Sequence, residues 1–271
     1  MQNSHENPSP TRILIFDSGV GGLSVLSEIS KRLPAAELVF ACDNAAFPYG
    51  TLSEQRLMER VVDVVARLLP EIKPDIVVVA CNTASTLTLD ELRKRFDIPF
   101  VGVVPAIKPA AACSESKVIG LLATPGTIER SYTDALISDF APDCNIVRVG
   151  SSELVYIAEQ KLRGITPDPE HLAALLAPFS EHSSLDAVVL ACTHFPLLID
   201  DLKPILPEQV QWIDSGEAIA RRVETLLPAA APTSAQTRTH RAIMTAGDSH
   251  IDTLSQQVAP FGLNAFEVIS L

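Results

Sequence analysis

The chain has 271 residues, enough for one large domain or two small ones. Its 47% hydrophobic and 20% charged residues are the composition of a packed globular protein, which excludes disorder over its length. A formal net charge of −12 sets it against nucleic acid and anionic membranes, although a pocket lined by backbone N–H groups can still take an anion.

Met1–Pro10 is polar and lacks the apolar core of a signal peptide, so it is expected to be a disordered leader on a cytoplasmic protein. Strands are expected at Arg12–Phe16, Leu38–Ala41, Ile76–Ala80, Phe100–Val103, Val118–Ala123, Ile146–Val149, Ala187–Ala191, Val210–Ile213, Ala242–Thr245 and Ala265–Ile269. Several are continuous apolar runs, the pattern of parallel strands buried on both faces. Even the longest, Ile76–Cys81 and Ala187–Cys192, are far shorter than the ~20 residues that span a bilayer.

Helical patterns fill the intervals. Leu23, Leu26, Ile29 and Leu33 form a stripe after Gly22. Ser53 is a candidate N-cap for Leu57, Val61, Val65 and Leu68. Pro169 precedes Leu172, Leu175, Leu176 and Phe179. Pro228–Thr239, rich in Ala, Pro, Ser and Thr, is expected to be a linker or loop. The alternation of β and α elements predicts doubly wound parallel sheets.

A weak internal repeat divides the chain. Ile76-Val-Val-Val-Ala-Cys-Asn-Thr83 is matched by Ala187-Val-Val-Leu-Ala-Cys-Thr-His194 about one domain later. The predicted fold is α/β, with two similar doubly wound parallel-sheet domains related by a pseudo-twofold and an active site at their interface. The expected boundaries are 1–104 plus 214–271 for the first domain and 105–213 for the second.

Ligands of open α/β sheets bind beyond the carboxyl ends of the strands. Cys81 and Cys192 both fall there, each just ahead of a predicted helix start, where backbone N–H groups favour a thiolate. Either one alone reads more readily as a buried core residue; the matched pair points to function. Two thiols on opposite faces of one carbon could remove a proton on one side and return a proton on the other, inverting a stereocentre without a cofactor. The five cysteines are odd in number and none are spaced C-x-x-C, which argues against a disulfide framework or a zinc ribbon. Cys42, Cys113 and Cys144 have no matching context and are expected to pack.

Asp17-Ser-Gly-Val-Gly-Gly22 follows the first strand. It is either a tight turn with Asp17 or Ser18 as helix cap, or a site element in which Asp17 tunes Cys81 and Ser18 binds ligand. Pro48-Tyr-Gly50 reads as a turn, and Asp214-Ser-Gly216 as the N-cap of a helix carrying Ile219 and Val223. His194, two residues past Cys192, is either a solvated or capping residue or part of the site.

Taken together, Phe16-Asp-Ser-Gly-Val-Gly-Gly-Leu-Ser24, Pro48-Tyr-Gly50, Ala80-Cys-Asn-Thr-Ala-Ser85, Leu122-Ala-Thr-Pro-Gly-Thr127, Ala191-Cys-Thr-His194 and Asp214-Ser-Gly216 resemble glutamate racemases of the aspartate/glutamate racemase family. The motifs stand in family order from about residue 12 to 225. The resemblance implies a cofactor-independent, metal-free enzyme that interconverts L- and D-glutamate for peptidoglycan. Cys81 matches the thiol acting on D-glutamate and Cys192 the one acting on L-glutamate, with Asp17 and His194 as their respective assistants. Glu159 matches a further acid near the second thiol, with Glu153 as a nearby alternative. Ser18, Tyr49, Gly50, Asn82, Thr83, Thr124, Thr127 and Thr193 match residues that hold the substrate's amino and carboxylate groups.

One departure is Gly102-Val-Val-Pro-Ala-Ile-Lys-Pro109, where many members carry Glu-Pro in place of Pro105-Ala106. This variant resembles a Gram-negative subgroup, some of which need a UDP-N-acetylmuramoyl-alanine activator and carry a longer leader. A homodimer is the family expectation. The alternatives are a relative acting on aspartate, a hydantoin or a malonate, and an additional regulatory role through binding DNA gyrase.

Overall fold

The structure is a computed structural model in which residues 11–227 and 240–269 are described, apart from the side chains of residues 264 and 265. The expected leader at 1–10 and the expected linker at Pro228–Thr239 lie outside the described residues.

In chain order the elements are β1 (Arg12–Asp17), α1 (Leu23–Arg32), β2 (Glu37–Cys42), α2 (Glu54–Ile72), β3 (Ile76–Val79), α3 (Asn82–Arg95), β4 (Phe100–Gly102) and α4 (Ile107–Cys113). They continue with β5 (Val118–Ala123), α5 (Pro125–Ile128), α6 (Ser131–Phe140), β6 (Asn145–Gly150), α7 (Glu153–Lys161), α8 (Pro169–Ser180), β7 (Ala187–Leu190), α9 (Ile199–Leu202) and β8 (Gln211–Ile213). The last are α10 (Gly216–Leu226), β9 (His240–Met244), α11 (Ile251–Val258) and β10 (Leu263–Val268).

These strands form two parallel sheets, ordered β10-β9-β2-β1-β3-β4 and β6-β5-β7-β8. The second repeats the order of the first four strands of the chain, so β1 corresponds to β5 and β3 to β7. The register runs Phe16 beside Val79 in one sheet and Leu122 beside Leu190 in the other. This is the structural basis of the sequence repeat. Strands β9 and β10 extend only the first sheet, through the β2 edge.

The unbroken apolar runs follow from burial on both faces. Along β1, Ile13 and Ile15 join one core with Leu26, Ile29 and Phe40, while Leu14 and Phe16 join another with Leu57, Val61 and Val65. The second sheet is likewise sandwiched, with Leu122, Val188 and Leu190 on one side and Ile119, Leu121 and Val189 on the other. Ser53 caps α2 as expected, its side chain accepting from the Arg56 N–H.

The chain passes between the sheets after β4 and again after β8. The two crossings touch: the Ser215 hydroxyl donates to the Val104 carbonyl at 2.5 Å. The start of α10 is held by Asp214, whose Oδ1 accepts from the Gly216 N–H at 2.6 Å. No helix among the described residues is long and apolar enough to cross a membrane.

Candidate active site

In each sheet the strand order reverses at one point, between β1 and β3 in the first and between β5 and β7 in the second. Such switch points open a crevice beyond the strands' carboxyl ends. Here the two crevices face each other and share one pocket of about 460 Å³ of empty space, its open mouth included. Cys81 follows β3 and Cys192 follows β7, and both line this pocket. Each is nearly buried, 7% and 8% exposed.

Ser18, Tyr49, Gly50, Asn82, Thr83, Thr124, Thr127, Thr193 and His194 also line the pocket. Asp17 and Glu159 do not line it and stand directly behind it. Glu153 is exposed and pairs with His171 on the surface, so of the two acids only Glu159 lies against the second thiol's neighbour. Pro48 and Ala191 line it too, as do Thr51, Ser152 and Val155, which carried no motif in the sequence. No lysine or arginine is among the described lining residues. Among the described residues no cluster of His, Cys, Asp and Glu could hold a metal ion.

The two sulfurs have different surroundings. Cys81 is the N-cap residue of α3, a helix of 14 residues, and lies 3.9 Å from the Ser18 hydroxyl. Burial and the neighbouring Asp17 carboxylate push its thiol well above the usual range, while the Ala84 N–H pulls the other way. Asp17 is fully buried. It accepts from the Ser18 N–H at 2.6 Å and, from the other half of the molecule, from the Thr193 hydroxyl at 3.1 Å. Burial raises its carboxyl from 3.8 to about 6, against the pull of His194, the Ser18 N–H and Thr193. Neither Asp17 nor Ser18 caps the helix that follows.

Cys192 is 3.8 Å from His194 Nδ1, and His194 Nε2 is 2.9 Å from Glu159 Oε1. Burial alone would lower the imidazole. The hydrogen bonds to Cys192 and Glu159 and the charges of both outweigh that and carry it well above its ordinary value. Glu159 is itself held below the normal carboxylate range: burial opposes ionisation, but His194, Arg163 and the Val20 N–H favour it more. His194 is only 3% exposed, which removes its reading as a solvated residue, and its side chain caps no helix. The helix expected just after Cys192 does not start at the sulfur as α3 does at Cys81. A short 3₁₀ turn, Phe195–Leu198, leads into the four-residue α9, so the sulfur has an imidazole where Cys81 has a helix N-terminus.

The glycines after β1 are explained by what crosses over them. A Cβ on Gly19 would run into the Glu159 carboxylate, and one on Gly21 into the His194 ring and Thr193 hydroxyl. Gly21→Ala is therefore expected to cost about 1–3 kcal/mol by overpacking. A thermal melt would show it as a fall of several degrees in the midpoint.

Tyr49 is placed by a buried carboxylate. Asp43 Oδ2 accepts from the Tyr49 hydroxyl at 2.7 Å, and Asp43 also pairs with both Arg60 Nε and Nη2 and accepts from Thr245. Phe47 packs edge-on against Tyr156 and tilted against His194, covering the imidazole from outside.

The model of the Asp/Glu/hydantoin racemase family matches residues 13–223, which contain every residue of this pocket. The chain belongs to that family. A glutamate racemase of Shewanella denitrificans is 55% identical over 219 residues, 81% of this chain and 79% of its own. One from Vibrio vulnificus is 46% identical over 98% of this chain and all of its own. Among solved structures, Escherichia coli glutamate racemase in complex with L-glutamate and the activator UDP-MurNAc-Ala superposes with a TM-score of 0.91 at 44% identity. That match covers 97% of this chain and 99% of the other. The family's two-lobed α/β fold is the one found here.

Proposed function

We propose that this member of the family is a glutamate racemase that inverts the α-carbon with Cys81 and Cys192 and no cofactor, supplying D-glutamate for peptidoglycan. One observation carries the reading: two cysteines from equivalent strand ends of the two sheets line a single pocket. We take 1–104 with 214–271 as one domain and 105–213 as the other, since β1–β4, β9 and β10 share one sheet and β5–β8 the other.

In the L-to-D direction the Cys192 thiolate, beside the imidazolium of His194, takes the α-proton. The C–H electron pair stays on the α-carbon and spreads into the carboxylate. The Cys81 thiol gives its proton to the opposite face and becomes the thiolate. The raised Cys81 suits a donor, and the His194–Glu159 pair suits a base at Cys192. In the reverse direction Asp17, lifted to about 6, is a proton acceptor for Cys81.

An α-proton roughly ten pKa units above a thiol would alone cost about 14 kcal/mol, so the carbanion needs strong stabilisation. With no lysine or arginine among the described lining residues, the His194 imidazolium and hydroxyl and N–H donors must supply it: Ser18, Thr83, Thr124, Thr127, Thr193 and the start of α3. Asn82 lines the pocket, and its Oδ1 is buried without a hydrogen-bond partner. The substrate's ammonium group would satisfy it.

The test is L-glutamate with the pure protein in D₂O, followed by circular dichroism and by NMR of the α-proton. Loss of optical activity with deuterium entering the α-position is expected. Neither happening, with or without UDP-MurNAc-Ala, would exclude the reading. The same run, with aspartate, hydantoins and malonates as competing substrates, decides substrate class, and glutamate is expected to be turned over fastest.

A further inference from the structure

The interactions that hold Glu159 do not stop at His194. Glu159 Oε1 accepts from His194 and, at 2.7 Å, from the Val20 N–H of the other lobe. Arg163, four residues on in the turn after α7, donates through Nη1 to Glu159 Oε2 at 2.6 Å and to its carbonyl at 2.8 Å. The rest of the guanidinium is turned to Asp248: Nε and Nη2 lie 2.9 and 2.6 Å from Asp248 Oδ2. The other oxygen, Asp248 Oδ1, accepts from the His250 N–H at 2.8 Å. Asp248 follows β9, in the strand pair that only the first sheet has. The side chains of Glu159 and Asp248 are each 9% exposed, and that of Arg163 is 18% exposed.

On the Cys81 side, among the described residues, no guanidinium reaches the carboxylate behind the thiol; the Arg60–Asp43 pair there holds Tyr49 instead. Asp17 there is held by Ser18 and Thr193, neutral groups only. From this one-sided chain we propose that Arg163 and Asp248 are a positioning pair for the Cys192 half of the reaction, fixing the Glu159 carboxylate against His194. The inference rests on the racemase reading above. Arg163 is the hinge of the arrangement: its planar fork meets a carboxylate on each side, a geometry that a point charge could not reproduce. Without Asp248 the guanidinium is free to rotate away. Without Arg163, Glu159 keeps His194 and the Val20 N–H but loses the contact that fixes its second oxygen.

Because L- and D-glutamate are equal in free energy, kcat/KM must fall equally in both directions for any variant, so rates alone cannot reveal a one-sided effect. Isotope effects can. Deuterium on the α-carbon of L-glutamate is in flight when Cys192 acts, and deuterium on D-glutamate when Cys81 acts. The experiment measures primary isotope effects on kcat/KM with [2-²H]-L- and [2-²H]-D-glutamate for wild type, Arg163→Gln and Asp248→Asn. Asp201→Asn is the control, because Asp201 pairs with Lys161 beside the same helix and touches nothing at the site.

Arg163→Gln is expected to lower kcat/KM on the order of tenfold, the worth of one charge-assisted hydrogen bond. The isotope effect from L-glutamate should rise while that from D-glutamate falls toward unity. Asp248→Asn, nearly isosteric, should move both the same way by a smaller step, and it carries the test if Arg163→Gln does not fold. The control should leave the ratio of the two effects at its wild-type value. An unchanged ratio in a folded variant, whatever its rate, overturns this inference alone. A wild-type enzyme that does not racemise glutamate overturns the functional reading and this inference with it.

Discussion

Cys81→Ala and Cys192→Ala are each expected to lower racemisation by about 10³-fold or more, with the fold intact. Positioned acid–base groups contribute roughly 10²–10⁴-fold apiece, and in the proposed mechanism each thiol carries the proton on its face. Cys81→Ala leaves the Ser18 hydroxyl its Asp17 partner, so its melting curve should shift little; Cys192→Ala takes the sulfur away from the buried His194 Nδ1 and should lower the midpoint by a few degrees. The two variants should differ in what survives. With Cys192 gone, Cys81 and Asp17 can still take and return the proton of D-glutamate on one face. With Cys81 gone, Cys192 and His194 can do so for L-glutamate. NMR in D₂O reads this directly: each variant should exchange the α-proton of one enantiomer without inverting it. A variant that still racemises at near wild-type rate would show that its sulfur carries no proton in the reaction.

The strands and the paired cysteines were legible in the sequence because both are local signals. A parallel strand buried on both faces must be apolar at every position, so runs such as Ile76–Val79 and Ala187–Leu190 announce themselves. The equivalence of Cys81 and Cys192 was visible because the repeat keeps the residues just after β3 and β7 alike. The local rules failed where function depends on contacts across the chain. Pattern alone left Glu153 and Glu159 as alternatives, six positions apart on either side of one helix; burial separates them, one beside His194 and one in solvent. The glycines at 19 and 21 read as turn residues, yet their role is to make room for Glu159 and His194 from the other lobe. Asp43 and Asp248 carry no motif; besides Tyr49 and Arg60 nearby, Asp43 reaches Thr245, 202 positions away, and Asp248 reaches Arg163, 85 positions away. The helix expected after Cys192 is short because α9 ends at Leu202, where Pro204 lacks the N–H that would continue it.

Asp17→Asn is expected to make the protein more stable at neutral pH and much less active. The folded protein holds the Asp17 carboxyl at about 6, against 3.8 for the free group. Between those values the native state binds a proton that the unfolded chain has released, so stability falls as pH rises through the window. Above pH 6 the folded state bears the full cost of a buried, ionised carboxylate, about 3 kcal/mol for a separation of roughly two units. Asparagine has nearly the same shape and no charge. Its oxygen can accept from the Ser18 N–H, and its amide can donate to the Thr193 hydroxyl, which then turns to act as acceptor. Thermal melts from pH 3.5 to 8 should therefore show the variant gaining several degrees at pH 8, with the difference shrinking below pH 6 and vanishing near pH 4. Activity should move the opposite way. Without an acceptor behind Cys81, the step that begins from D-glutamate loses its assistance, and kcat should fall about 10²-fold or more. If stability at pH 8 drops instead, Asp17 is held ionised at no cost and serves the fold as an anionic partner. The charge would then be a structural feature, where the arrangement of Asp17, Ser18 and Cys81 marks it as a strained one kept for the reaction.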